Sequence, residues 1–248
     1  MENKDDLYYS QTDTSKVKDA PPYTLYTFGP ILYKTSVDQA IVDELLMRGR
    51  KLSGSHVEKL AGHLDKEQQF TNDDKKWFVD SVQPYLSAYF ETFQKLTDPR
   101  FYEYTPFNGV LLKDLWINFM KAGEYNPPHI HGFDFSFVFY LQIPKGLEKE
   151  KEDFKGIGVG PGSISFYYGE WQRMMRSEHH FWPKVGDFYI WPAKLKHGVP
   201  PFKSPGERIS VSGNFEILSK EAGDTVIKVA KQVNEFKNEY MSAVPKNS

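Results

Sequence analysis

The sequence predicts a mainly β protein with supporting α-helices, and three observations carry that prediction. From about residue 104 the chain breaks into short aromatic and β-branched runs separated by Gly, Pro or charged residues. No helical pattern intervenes between those runs, which favours an antiparallel sandwich or barrel over βαβ units. Ahead of them, apolar residues recur at helical spacing, so helices come first and a β-core second. At 248 residues the chain has the length of one sizeable domain, and no internal repeat is visible.

Taken in order, residues 1–20 read as a flexible arm and 21–248 as a single domain with its β-core at about 104–218. Tyr23–Val37, "YTLYTFGPILYKTSV", alternates enough for one or two strands, broken at Gly29-Pro30. Val37, Ile41, Leu45 and Leu46 then have the spacing of a helix, with Ser36 as its N-cap. "TNDDKKWFVDSVQPYLSAYFETFQKL" predicts a longer amphipathic helix, capped by Asn72 or Asp73 and kinked at Pro84. The polar stretch between the two helices, "SGSHVEKLAGHLDKEQQF", reads as loop or short helix. The strands follow: "GVLLKDLWINFMKAGEYN", "FDFSFVFYLQIP", "SISFYYGE", "VGDFYIWPAKLKHGV" and "RISVSGNFEIL". "KGLEKEKEDFKGIGVGPG" is a solvated loop, and "SKEAGDTVIKVAKQVNEFKNEYMSAV" a final polar helix.

Composition narrows the function classes. The formal charge of −2, from 31 basic and 33 acidic residues, gives no strong nucleic-acid signal. With no cysteine there are no disulfides, thiolate metal sites or cysteine nucleophile, which fits a reducing, cytoplasmic setting. The N-terminus has no apolar signal-peptide core, and no run approaches the ~18 apolar residues of a membrane span. Nineteen Phe, 15 Tyr and 5 Trp imply a core of large rings or a ring-lined groove.

Chemistry concentrates in "NPPHIHGFDF". On an extended strand, side chains two apart share a face, so His129 and His131 look in one direction. Two imidazoles there are either hydrogen-bonded aromatics or two ligands of a metal, and a metal needs a third. His197, after the strand Asp187–Trp191 and a Pro-containing turn, is the candidate; His56, His63, His179 and His180 lie in polar contexts and read as surface residues. Eleven residues beyond His197, Arg208 heads "RISVS", where Ser210 and Ser212 share its face. If that face turns inward, the guanidinium is a costly buried charge unless an anion lies against it.

These residues, in this order, resemble the non-haem iron oxygenases that use 2-oxoglutarate. "PPHIH", "KHGVPPF", "ERISVSGNF" and "WINFMKAGEYNPPHIH" match the motif order and spacing over roughly residues 104–218, and more narrowly they are similar to a family of Fe(II)- and 2-oxoglutarate-dependent dioxygenases of bacteria and phages. The resemblance implies a double-stranded β-helix (jelly-roll) core flanked by the N-terminal helices and the C-terminal helix. It implies Fe(II) held by His129, His131 and His197 as the catalytic centre, and 2-oxoglutarate anchored by Arg208 and accompanied by Asn118, Tyr140 and Ser210. It also implies O2 as a reactant, with succinate and CO2 released as an unidentified substrate is oxidised. Phe119, Phe139, Tyr140 and Trp191 are candidate walls of the pocket. The segments Lys145–Pro161 and Gly169–Pro183 and the N-terminal arm are candidates for its mouth, and Arg173 and Arg176 for contacts to an anionic substrate.

One departure matters. The family's second ligand is usually a carboxylate, and here that position is His131; Asp134 is the alternative if Gly132 lets the chain bend back. Two other classes stay open: a cupin-like metal enzyme without 2-oxoglutarate, for which Arg208 has no purpose, and a non-catalytic β-sandwich binding module, which metal content would distinguish. A homodimer also stays open.

Overall fold

The computed structural model describes residues 29–54, 61–96, 109–173 and 175–218, with 228 and 232 beyond them. The N-terminal arm, Tyr23–Phe28 of the first expected strand, His56 and most of the expected C-terminal helix lie outside the described residues. The strands are β1 (Tyr33–Ser36), β2 (Glu67–Gln69), β3 (Val110–Met120), β4 (Asn126–His129) and β5 (Phe135–Gln142). They continue as β6 (Ile164–Tyr167), β7 (Glu178–Phe181), β8 (Asp187–Pro192), β9 (Lys196–Val199) and β10 (Arg208–Ile217). The helices are α1 (Gln39–Lys51), α2 (Asn72–Leu96) and a short α3 (Leu147–Asp153).

Every strand pairing is antiparallel. Six strands form one sheet in the order β1-β8-β5-β10-β3-β2, and four form a second in the order β4-β9-β6-β7. This is the double-stranded β-helix, the jelly roll. Central β10 is paired along both edges, with β3 on one side and β5 on the other.

Period-2 alternation explains why the core splits in two. Leu115, Ile117 and Phe119 of β3, Phe135, Phe137 and Phe139 of β5 and Ile209, Val211 and Phe215 of β10 pack with Leu45 of α1 and Phe78, Val82 and Tyr89 of α2. Phe78 stacks on Phe137 at 5.1 Å and meets Phe188 edge-on at 6.5 Å. The opposite residues of β5 and β8, Val138, Tyr140, Tyr189 and Trp191, turn toward the second sheet and pack on Ile164 and Phe166 of β6.

Several local expectations change. Ser36 ends β1, and α1 is preceded by Asp38, which makes no side-chain cap bond. The cap of α2 is Thr71, whose Oγ1 accepts from the Asp74 N–H at 3.2 Å while Asp74 Oδ2 accepts from the Thr71 N–H, a reciprocal capping box. α2 is one continuous helix that contains Pro84, as expected. The polar stretch before it contains β2, whose "EQQ" has little strand propensity and is extended because β3 offers it an edge. Within the expected loop 145–162, Leu147–Asp153 is helical, its Leu147 buried. His179 and His180 lie in β7; His179 is exposed as expected, while His180 is half-buried with its Nδ1 2.8 Å from Ser165 Oγ.

Candidate active site

Between the two sheets lies a cavity of about 260 Å³. From the six-stranded sheet it is lined by Asp114, Trp116, Asn118 and Met120 of β3, and Val138 and Tyr140 of β5. β10 adds Arg208, Ser210, Ser212 and Asn214. From the other sheet come His129, His197 and Ile164, with His131 just after β4. Trp191 of β8 closes one wall.

Two elements bring the histidines together. His129 and His197 are directly opposed in the β4–β9 pairing. His131 follows β4 in a segment fixed by its own N–H, which donates to the Ala193 carbonyl at 3.0 Å. Gly198 makes the close approach of β4 and β9 possible, because a Cβ there would lie 2.9 Å from Pro128 N. One ring nitrogen from each histidine lies within 4.8 Å of the others, and the Nε2 atoms of His131 and His197 are 3.2 Å apart.

The hydrogen bonds behind the rings decide which nitrogens face the cluster. His129 Nδ1 is 2.7 Å from the Pro127 carbonyl and His197 Nδ1 is 2.9 Å from the Leu195 carbonyl. A carbonyl only accepts, so both Nδ1 atoms carry hydrogen and both Nε2 atoms keep a lone pair. Burial pushes the His197 imidazolium down to about 3 and His131 down to about 4, with the neighbouring His129 adding to the effect; His129 is lowered too, again chiefly by burial. Three neutral imidazoles are therefore presented at neutral pH. Two nitrogens on an ion with bonds of about 2.1 Å sit roughly 3 Å apart, so the set fits a first-row divalent cation.

Asp134 is elsewhere. Its Oδ2 accepts from the Ile217 N–H at 2.7 Å, and its backbone pairs with Phe215 and Ala193. It tethers the end of β10, and the histidine cluster forms without it. A carboxylate does reach the cavity, from a residue the sequence reading passed over: Asp114, whose charge acts on His131 and whose Oδ2 accepts from Asn214 Nδ2 at 3.4 Å.

Arg208 closes the far end. It is 3% exposed, and among the described residues no carboxylate lies within 4 Å of it. One guanidinium N–H donates to Tyr140 Oη at 2.9 Å, another nitrogen meets Met120 Sδ at 3.7 Å, and Nε has no partner. Tyr140 Oη accepts that bond and so keeps its own hydrogen to donate. Burial raises the Tyr140 phenol, which stays protonated. Ser210, 3% exposed, is paired with Asn118 on one side and Tyr140 on the other, so these three form a polar row between Arg208 and the histidines.

Of the expected walls, Tyr140 and Trp191 line the cavity, whereas Phe119 and Phe139 face the helices. Adjacent strand residues cannot share a face, and Asn118 and Tyr140 hold the cavity side. Of the expected mouth, part of Gly169–Pro183 is β7, and Trp171 is 80% exposed. Ala61 and Leu64 form part of the lining instead; Gly62, between them, has no room for a Cβ against the Tyr125 carbonyl and Asn126. Among the described residues no helix is long and apolar enough to cross a membrane.

Residues 114–214 match the family model described as "Putative 2OG-Fe(II) oxygenase". No curated protein sequence matches. Among solved structures, similarity extends to a viral collagen prolyl hydroxylase of Paramecium Bursaria Chlorella virus-1 in complex with 2OG. It is 15% identical, with 75% of this chain and 96% of that chain covered and a TM-score of 0.49. A prolyl-4-hydroxylase of Pseudomonas putida is 14% identical, with 76% and 93% covered and a TM-score of 0.49. A Trichoplax adhaerens prolyl hydroxylase, in complex with a hypoxia inducible factor oxygen degradation domain peptide fragment, is 12% identical, with 79% and 86% covered and a TM-score of 0.47. Over residues 114–214 the chain is similar to the 2OG-Fe(II) oxygenases, a family named for its use of iron(II) and 2-oxoglutarate.

Proposed function

We propose that His129, His131 and His197 hold the iron of this dioxygenase and that Arg208, with Tyr140, Asn118 and Ser210, binds 2-oxoglutarate. The observation that carries the reading is Arg208: a guanidinium 3% exposed, facing a cavity, with no carboxylate partner among the described residues. A buried charge of that kind calls for an anion, and its planar fork matches a carboxylate. With iron(II) bound, the family's chemistry couples decarboxylation of 2-oxoglutarate by O2, giving succinate and CO2, to insertion of the second oxygen into the substrate.

The chain's own residues then have separable tasks. The Pro127 and Leu195 carbonyls fix two imidazoles with Nε2 inward. Arg208 and the Tyr140 hydroxyl grip the distal carboxylate, and Trp191 and Val138 exclude water beside it. A triad of neutral imidazoles leaves the metal one unit more positive than a two-histidine, one-carboxylate triad. Asp114 supplies a negative charge from the neighbouring strand. We further propose that residues 21–248 form one domain that works in the cytoplasm and that its substrate is hydroxylated.

The test is anaerobic titration of 2-oxoglutarate into Fe(II)-loaded protein, following the metal-to-ligand charge-transfer band. His131→Ala should abolish metal binding and Asp134→Ala should retain it. The reverse pattern would return the second position to a carboxylate. A cupin-like enzyme that does not use 2-oxoglutarate would bind metal and show no band.

A further inference from the structure

Glu67 is the cavity residue that the site as described leaves without a task. It lies on the three-residue edge strand β2, paired in register with Asn118, is 4% exposed and lines the cavity. Among the described residues it has no ion-pair partner. Its hydrogen bond runs through the Asn118 amide. The indole N–H of Trp116 can only donate, so the Asn118 oxygen must face it, at 3.2 Å. That turns the Asn118 nitrogen onto Glu67 Oε2 at 2.6 Å. Trp116, Asn118 and Glu67 thus make a strut along one edge of the cavity, and the nitrogen keeps a second N–H for the cavity that Asn118 lines.

We propose that Glu67 is a positioning residue for 2-oxoglutarate: it holds the Asn118 amide against Trp116 with its second N–H toward the co-substrate, and it must keep its proton for the dianion to bind. The inference rests on the site assignment made above. An ionised Glu67 would add a negative charge beside a ligand that already carries two. Burial raises the Glu67 carboxyl to about 8, so it is neutral at physiological pH and ionises in mild alkali. The cavity's other titratable and charged groups are Asp114 on β3, Tyr140 on β5, Arg208 on β10, and His129, His131 and His197 from the facing sheet. The histidines are already neutral there, and burial raises the tyrosine. The ammonium of Lys66, beside Glu67 in sequence, lies 4.0 Å over the Phe119 ring on the helix-facing side. Glu124 is occupied by the N–H groups of Asp65 and Lys121.

The experiment is calorimetric titration of 2-oxoglutarate into the Mn(II)-loaded full chain from about pH 6.5 to 9.5. In the wild type the Kd should be flat below about pH 7 and rise by up to about tenfold per pH unit above about pH 8, because one proton must be taken up with the ligand. Glu67→Gln keeps an acceptor for Asn118 and cannot ionise, so its Kd should match the wild type at pH 7 within about threefold and stay flat. Glu67→Ala should weaken binding about two- to tenfold at pH 7, the worth of one hydrogen bond, and add little in an Asn118→Ala background. A wild-type profile flat to pH 9.5, a Glu67→Gln profile that rises like the wild type, or an additive double mutant overturns the proposal and leaves the site assignment standing. No binding by the wild type at any pH overturns the site assignment itself.

Discussion

The two faces of the six-stranded sheet use the same three central strands and carry opposite chemistry. On β3, Leu115, Ile117 and Phe119 face the helices while Asp114, Trp116, Asn118 and Met120 face the cavity. On β10 the division is Ile209 and Val211 against Arg208, Ser210 and Ser212. The helix face is close-packed rings whose value is stability. Among the described residues the cavity face holds a guanidinium without a carboxylate partner and a carboxyl without a cation, features that cost stability and that the proposed ligand would offset. Alternation along a strand lets both exist on neighbouring residues, so substitutions on one face should move melting and on the other should move binding.

The largest effect tests the cavity side. His197→Ala removes one of the three proposed ligands and should reduce iron to well below stoichiometric while the folded protein persists; metal analysis after desalting reads this. A variant that keeps one iron per chain breaks the assignment. Next comes Arg208→Ala, expected to raise the Kd for 2-oxoglutarate at least about a hundredfold, the ~3–5 kcal/mol of a charge pair left half-made. Its iron content should stay at wild-type level. Its Tm should hold or rise, because the mutation removes a buried charge that has no carboxylate partner among the described residues. A large fall in Tm would show that Arg208 belongs to the packing after all. Arg208→Lys should recover part of the binding, keeping charge without the fork.

On the helix face, Phe78→Ala removes a ring stacked on Phe137 and edge-on to Phe188, and should cost about 3–5 kcal/mol in denaturant unfolding of the apo protein. The metal and co-substrate affinities of the molecules that remain folded should change by less than about threefold. Thr71→Ala breaks the capping box of α2 and should cost about 1 kcal/mol with no change in binding. Should either variant alter the Kd for 2-oxoglutarate more than the Tm, the separation of faces fails.

The same alternation decided what could be read from the sequence. His129, His131, His197 and Arg208 were visible because each stands in a run with its own spacing, and the structure gathers all four around one cavity. Phe119 and Phe139 suggest a cavity wall by residue type, but Asn118 and Tyr140 occupy the inward positions beside them. Applied strictly, the period of two would have excluded both rings and found Trp116 and Asp114 instead. Glu67 gave no such signal. Three polar residues in a loop-like stretch have no periodicity, and only the edge of β3 makes them a strand. The caps at Thr71 and Asp38 differ from the expected ones by one or two residues, because several polar residues at each helix start can serve and packing chooses between them.

The position of β10 has a kinetic meaning as well. It is hydrogen-bonded along both edges over most of its ten residues, whereas among the described residues β4 pairs as a strand with β9 alone, through Asn126 with Val199 and His129 with His197. Local opening costs most where the backbone is paired on both sides and least in short edge strands. The amide hydrogens around His129 should therefore exchange on a faster clock than those of β10 around Arg208, which hydrogen exchange would read.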